Sequence, residues 1–352
     1  MSQFLSRISC FGGALAVAGL VATSASAADK VSMSVPATLT SFCLKMDMLR
    51  NPAFPQMREK YDLDIESVKM QVAQVPVTVS NQDLDIGECS GISTVVNAWN
   101  KGAKNLIIFA VGSRAPLYQI ISKPEITKLE DLKGKSLGIP GLQSASTEAI
   151  EMILLRGAGM KPGVDYNLVS AGAGSARVAA LMAGAIDALP TYPPDSYELA
   201  KQGYNILADE VTYVPDYVTG VHVVSKEWAE KNEALFIRVI KGMIETGQWL
   251  QDPANKDAVI AWLATNMTVA GGEPLGEDYA GRLYEFLIGQ KRLSFNGYAP
   301  ISAVRANLDI MKTRGYIKDE EIPPLGEVFD FSYLNKALTE LGMPMVEEYP
   351  KQ

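Results

Sequence analysis

The residues that usually carry catalysis are scarce in this chain. It has one histidine, His222, and three cysteines, Cys10, Cys43 and Cys89. That is too few soft ligands for a zinc cluster, and a single imidazole must serve any Ser-His or Cys-His chemistry. No Gly-x-Ser-x-Gly elbow appears, and His222 lies in the apolar run Val221–Val224, which suits a hinge or core histidine. The remaining polar chemistry belongs to binding. Gly87-Glu88-Cys89-Ser90-Gly91 sets a carboxylate between glycines that let a backbone approach a ligand, and Ser90 is placed to cap the following helix. Gly141-Leu142-Gln143-Ser144-Ala145-Ser146-Thr147 crowds hydroxyls and free amides at the positive end of a helix. This is a ready site for an anion or carbonyl, with Ser146 expected as N-cap and Glu148 and Glu151 complementing the dipole. Gly172 to Arg177 has Arg177 where a dinucleotide turn would need its third glycine, so a cofactor is not expected. No metal site is expected either.

Those loops need a scaffold, and the chain supplies an alternation of strand and helix. Strands are predicted at Val31–Val35, Ile65–Met70, Asp83–Gly87, Leu106–Val111, Lys135–Ile139, Tyr166–Ser170 and Ala185–Leu189. Helices are predicted at Ser93–Lys101, Thr147–Arg156 and Ala176–Ala183, and such alternation argues a largely parallel sheet. Gln82 to Gly87 and Met182 to Ala188 echo one another, each with an aspartate about 50 residues beyond the first strand of its half, as two similar lobes would leave. After Val218 the pattern turns helical, with runs at Lys226–Leu250, Lys256–Asn266, Tyr279–Ile288, Ser302–Thr313 and Phe331–Leu341.

Composition narrows the setting. The 352 residues are 47% hydrophobic and carry a net charge of −8, so a basic surface for nucleic acid is not expected. Met1 to Ala27 has a lone Arg7, an apolar stretch from Phe11 to Ala22 and a small-x-small ending, Ala25-Ser26-Ala27. It reads as a secretory signal peptide cleaved near Ala27, since about 12 apolar residues fall short of the roughly 20 that span a bilayer. An oxidising compartment permits Cys43 and Cys89 to pair.

Several strings resemble one family. Leu129-Glu130-Asp131-Leu132-Lys133-Gly134-Lys135-Ser136-Leu137-Gly138-Ile139-Pro140-Gly141 is similar to the segment that opens the second lobe in solute-binding proteins of ABC importers. The match is to the nitrate/sulfonate/taurine and thiamine-precursor (NMT1/THI5-like) class. Leu181-Met182-Ala183-Gly184 before Asp187-Ala188-Leu189 resembles the end of that lobe's ligand strand, and Ser225-Lys226-Glu227-Trp228 with Asn232 to Trp249 and Asp252-Pro253 resembles the family's long helix. The resemblance implies a type II periplasmic-binding-protein fold: two α/β lobes joined by a two-strand hinge, with a helical C-terminal third. Lobe one would be 28–114 and 218–352, and lobe two 115–217. Ligand-contacting residues would lie on the cleft loops: Thr40, Ser41 and Phe42; Glu88, Cys89 and Ser90; Arg114 at the crossing; Gln143, Ser144, Ser146 and Thr147; Arg177; Thr191 and Tyr192; and Tyr217 at the returning hinge. Glu88 either meets a ligand N–H or pairs with a cation such as Arg114. If Cys43 and Cys89 end adjacent loops of the first lobe, a disulfide between them would tie those loops beside the site; the sequence leaves bridged and free thiols both open.

The resemblance implies a monomeric periplasmic receptor that hands a small organic solute, unchanged, to an ABC permease in the inner membrane. Arg114 or Arg177 fits a carboxylate or sulfonate, whereas Glu88 with Phe42 or Tyr192 fits a heterocyclic amine or a pyrimidine. A pyrimidine-synthase-like enzyme is the rival class, and its cysteine-rich iron site has no match here. A sensory receptor for a signalling partner is the third.

Overall fold

The computed structural model describes residues 29–36, 43–142, 144–172, 174–215, 217–268 and 272–351. Its ten strands are β1 (Asp29–Pro36), β2 (Leu63–Met70), β3 (Ile86–Ser90), β4 (Leu106–Ser113), β5 (Gln119–Ser122), β6 (Ser136–Ile139), β7 (Asn167–Ser170), β8 (Ala188–Thr191), β9 (Asn205–Asp209) and β10 (Gly220–Ser225). They form two five-stranded sheets, ordered β2-β1-β3-β10-β4 and β7-β6-β8-β5-β9. β10 runs antiparallel between β3 and β4, and β5 runs antiparallel between β8 and β9. Each sheet therefore has the same order, and each receives its one antiparallel strand where the chain crosses from the other, through 114–118 and 210–219.

The sequence echo has a physical cause. In the first sheet the Asp85 carboxylate accepts from both the backbone N–H and the hydroxyl of Ser32 on β1, at 2.7 and 2.8 Å. In the second, Asp187 accepts from the N–H of Ser136 on β6 at 2.9 Å and pairs with Lys123 at 2.8 Å. Both aspartates tie the central strand of a sheet to the strand beside it. That task starts those strands later than predicted: β3 at Ile86 rather than Asp83, and β8 at Ala188 rather than Ala185. The turns that lead into these strands begin at a left-handed residue just before each predicted start, Gln82 (φ 61°) and Gly184 (φ 76°).

Burial explains the rest. From Leu106 to Val111 β4 is fully buried, as a continuous apolar run in a sheet covered on both faces should be. Helices Glu233–Gln251, Ile301–Thr313 and Ser332–Glu340 pack their apolar faces into this core. Smaller cores flank the second sheet. The helical run predicted from Lys226 to Leu250 is two helices, because Ser225 caps Lys226–Lys231 through Trp228 N–H and the chain breaks at Asn232. The predicted Tyr279–Ile288 helix starts at Glu277 and ends in a π turn, Glu285–Gly289. Strands β5 and β9 and helices Val75–Ser80 and Asp195–Lys201 are additions to the sequence reading. Among the described residues no helix is long and apolar enough to cross a membrane. The signal-peptide reading of Met1–Ala27 lies outside the described residues.

Cys43 and Cys89, 46 positions apart in the chain, are joined in a disulfide with Cα atoms 5.9 Å apart. It fastens the start of helix Leu44–Arg50 to the end of β3. Closing a loop of that length stabilises the fold by about 4 kcal/mol in the chain-entropy model. Thiol titration of denatured, unreduced protein should find both cysteines blocked, and reduction should lower the urea midpoint of the wild type but not of the double variant Cys43→Ser, Cys89→Ser.

Candidate functional site

The carboxyl ends of β3 and of the second sheet's strands meet at one junction. Gly91, at the N-terminus of helix Ile92–Asn100, faces Ala145 at the N-terminus of helix Ala145–Ala158; a methyl group on Gly91 would sit 4.0 Å from the Ala145 methyl. Ser144, not Ser146, caps the latter helix, accepting from Thr147 N–H at 3.2 Å. The capping position is set by Gly141, whose carbonyl takes both the Ser144 hydroxyl (3.1 Å) and the Thr147 hydroxyl (2.7 Å). Ser146 is thereby left to point at Arg177, whose Nη1 donates to its Oγ at 3.4 Å.

Arg177 is the most unusual residue in the junction. Gly172 and Gly174, both with positive φ, turn the chain so that helix Ser175–Met182 carries Arg177 inward, where it is only 6% exposed. Its Nε has no hydrogen-bond partner, and among the described residues no carboxylate lies within 4 Å of it. Burial holds this guanidinium below its ordinary pKa, opposed by Tyr118, Tyr192 and Asp195 nearby. The rings of Tyr118 and Tyr192 meet edge to face at 5.4 Å, forming an aromatic wall beside it.

Across the junction lies a second buried charge cluster. On helix Leu44–Arg50, Arg50 pairs with Asp47 one turn back and reaches Glu88 on β3 at 3.6 Å. Glu88 is wholly buried, its backbone N–H donates to Ser34 Oγ at 2.7 Å, and its carboxylate oxygens accept no hydrogen bond. Burial pushes its carboxyl up to about 8 and that of Asp47 up to about 6. The neighbouring Ser90 hydroxyl is buried without a partner, and Cys89 between them takes φ 62°. A left-handed cysteine costs roughly 1–2 kcal/mol, strain of a kind that gathers at binding sites.

The two halves are held together around these clusters. Arg314 pairs with Glu148 at 3.2 Å and with Glu151, and donates to Leu142 O at 2.6 Å. Tyr217 donates its hydroxyl to Glu148 at 2.6 Å. Arg292 pairs with Asp209 at 3.1 Å and donates to Pro116 O at 2.6 Å, and Tyr279 donates to Glu198 at 2.7 Å. Glu210, on the returning crossing, accepts from Tyr118 N–H at 3.2 Å.

Several expectations need correction. Glu88 takes Arg50 as its cation; Arg114 is exposed, its backbone N–H donating to Arg292 O at 3.1 Å. Ser90 does not cap a helix, since Gly91 holds the N-cap position and no side chain bonds there. Glu148 and Glu151 serve Arg314 and Tyr217 rather than only a helix dipole. Tyr217 is buried with its hydroxyl engaged, and Thr191 is buried in β8 opposite Gln119, while Tyr192 is half-buried beside Arg177. Thr40, Ser41, Phe42 and Gln143 lie outside the described residues. Sequence reasoning missed Asp47, Arg50, Tyr118 and Arg314. The i, i+3 spacing of Asp47 and Arg50 was a usable signal, but Arg314 stands 163 residues from Glu151 and only the fold joins them. Among the described residues no group of three His, Cys, Asp or Glu could hold a metal ion.

Comparison with known proteins agrees with this architecture. A family model described as NMT1/THI5 like matches residues 59–254. No curated protein sequence matches the chain. The periplasmic sulfonate-binding protein SsuA of an ABC transporter from Methylobacillus flagellatus KT superposes with a TM-score of 0.65 at 16% identity, over 90% of this chain and 96% of that one. The periplasmic nitrate-binding protein NrtA from Synechocystis PCC 6803 gives 0.68 at 13% identity, over 90% and 89%. The Candida albicans CA3427 product, described as having the generic periplasmic binding protein fold, gives 0.63 at 14% identity, over 92% and 98%. The fold is thus that of the periplasmic binding proteins, with two α/β lobes and two crossings between them.

Glu210 supplies a pH test of the junction. Burial raises its folded carboxyl from 4.5 to about 8, opposed by the Tyr118 and Leu117 amides. The folded protein then holds a proton that the unfolded chain has released, so this contribution is full below about 4.5 and is lost as pH rises through about 8. Urea melts between these limits should show wild-type stability falling with pH, with a shallower fall for Glu210→Gln.

Proposed function

Because the chain belongs to the NMT1/THI5-like family, we propose that it is a solute-binding receptor that captures a small organic anion, a carboxylate or sulfonate, between its lobes and delivers it unaltered to an ABC-type permease. The observation that carries this reading is Arg177. A buried guanidinium without a carboxylate paired to it, with Asp195 acting only through its field, is costly to keep out of water, and a ligand anion would supply the missing close partner. Around it stand Ser146, the Tyr118 and Tyr192 wall and the N-terminus of helix Ala145–Ala158, whose free amides also favour negative charge. The related structures described as sulfonate- and nitrate-binding proteins support an anion as the class of solute.

Lobe one comprises 28–114 and 218–352 and lobe two 115–217, the second sheet lying wholly within 115–217. Met1–Ala27 directs export, and the mature protein works in the periplasm as a monomer. The family and its structural neighbours are substrate-binding proteins, and the sole imidazole supports the same reading here. His222 is buried with neither ring nitrogen bonded, and burial, with the charge of Lys45, pushes it down to about 3. It is neutral at physiological pH and reaches no cleft group as a general base.

Thermal-shift and calorimetric titration of the mature protein with alkyl sulfonates and carboxylates should reveal one site, with the ligand recovered intact. Arg177→Met should weaken binding at least about 30-fold, the lower end of the cost of removing one partner of a buried charge pair. The same variant should melt higher than wild type without ligand, because it removes an uncompensated charge. Unchanged affinity in the variant, or chemical alteration of the ligand, would refute the reading.

A further inference from the structure

The second half of helix Ile301–Thr313 turns one stripe of residues toward the other lobe. Asn307, Ile310 and Arg314 stand at i, i+3 and i+7, so they lie along a single face. Asn307 grips the returning crossing with both ends of its amide: Oδ1 accepts from Val218 N–H at 3.0 Å and Nδ2 donates to Val218 O at 2.9 Å. Ile310 is buried in a small cluster with Met152 of helix Ala145–Ala158 and with Val214 and Tyr217 of the crossing. Arg314, about 10 Å along the helix axis from Asn307, reaches furthest into lobe two. Its guanidinium lies 3.2 Å from Glu148, donates to Glu151, and donates to Leu142 O at 2.6 Å. Tyr316 supports it, its ring centred 4.2 Å from the guanidinium and its hydroxyl donating to the same Leu142 carbonyl at 3.2 Å.

Two carboxylates and a carbonyl of one lobe thus meet a single cation of the other, whose side chain is only 5% exposed. A planar fork with five donors can hold all three at once. Glu148 is bound from the crossing as well, since Tyr217 donates its hydroxyl to it at 2.6 Å. Every partner is a group of the chain itself, so this hold does not depend on an occupant of the cleft. We propose that Arg314 is an interlobe latch: the helix is a stiff arm anchored at the crossing, and its seated guanidinium keeps the lobes shut whether the cleft is filled or empty. Arg314 is a positioning residue, acting through Leu142, Glu148 and Glu151 on the first turns of helix Ala145–Ala158. Its consequence for capture rests on the receptor reading. A solute enters and leaves only through the small fraction of molecules whose latch is open. Because the latch closes the filled and the empty forms alike, it cancels from the binding equilibrium and sets the rates.

The test begins without a ligand. Small-angle scattering of the mature, disulfide-bonded protein should match the curve calculated from this structure, and Arg314→Met should raise the radius of gyration while its circular dichroism stays that of the wild type. Arg314→Lys, a point charge that cannot span two carboxylates and a carbonyl, should fall between them, and it takes the place of Arg314→Met if that variant does not fold. Stopped-flow binding of ethanesulfonate and of butyrate then reads the rates. In Arg314→Met association and dissociation should both quicken about 30-fold or more, with Kd moved by less than about threefold. A wild type whose lobes are already parted when ligand-free, or a radius unmoved in both variants, overturns the latch. So does a dissociation rate that rises alone while Kd weakens in step, since the seam would then form only around an occupant. If neither acid binds, the anion receptor falls and scattering alone decides the latch.

Discussion

A charge taken out of water must be answered by another charge, by a proton, or by something not yet present. This constraint organises the molecule more than any other. Arg50 is answered by Asp47, Arg292 by Asp209, and Arg314 by Glu148 and Glu151, each at low exposure. Arg177, equally buried, has no carboxylate paired with it among the described residues: a serine hydroxyl and two phenol rings flank it, and Asp195 acts on it only through its field. Among the described residues Arg177 is the buried guanidinium without a paired carboxylate, and that is the ground on which a ligand anion is proposed there. The orientation of the surrounding loops follows: glycines at 172 and 174 bring the guanidinium in, and Gly141 aligns the hydroxyls that flank it.

Much of the fold was legible because its signals are local. The unbroken apolar run of β4 needs cover on both faces, and only a central position between layers provides it. The paired aspartates, Asp85 and Asp187, were visible as an echo because each performs one job that needs a carboxylate at one offset. Elements that depend on neighbours were not visible. β5 and β9 are four and five residues long and owe their strand geometry to the sheet that receives them. Val75–Ser80 is rich in β-branched residues, yet Pro76 in its first turn and the packing of Val75 and Val79 under β3 hold it helical.

The site divides in the same way. Arg177 could be singled out because it breaks a glycine pattern, and Glu88 because a carboxylate between glycines demands an explanation. Their surroundings could not be read in advance. Serines two residues apart compete for one cap, and the choice of Ser144 over Ser146 was made by a carbonyl of the preceding turn. The cation beside Glu88 came from a helix whose charged residues point inward, against the usual expectation that charge marks a solvent face.

The seam between the lobes has a consequence of its own. Arg314 and Arg292 sit in sockets built from the opposite half, one near the mouth of helix Ala145–Ala158 and one at the crossings. Parting the two halves would have to unseat both arginines together, each from a carboxylate and a backbone carbonyl.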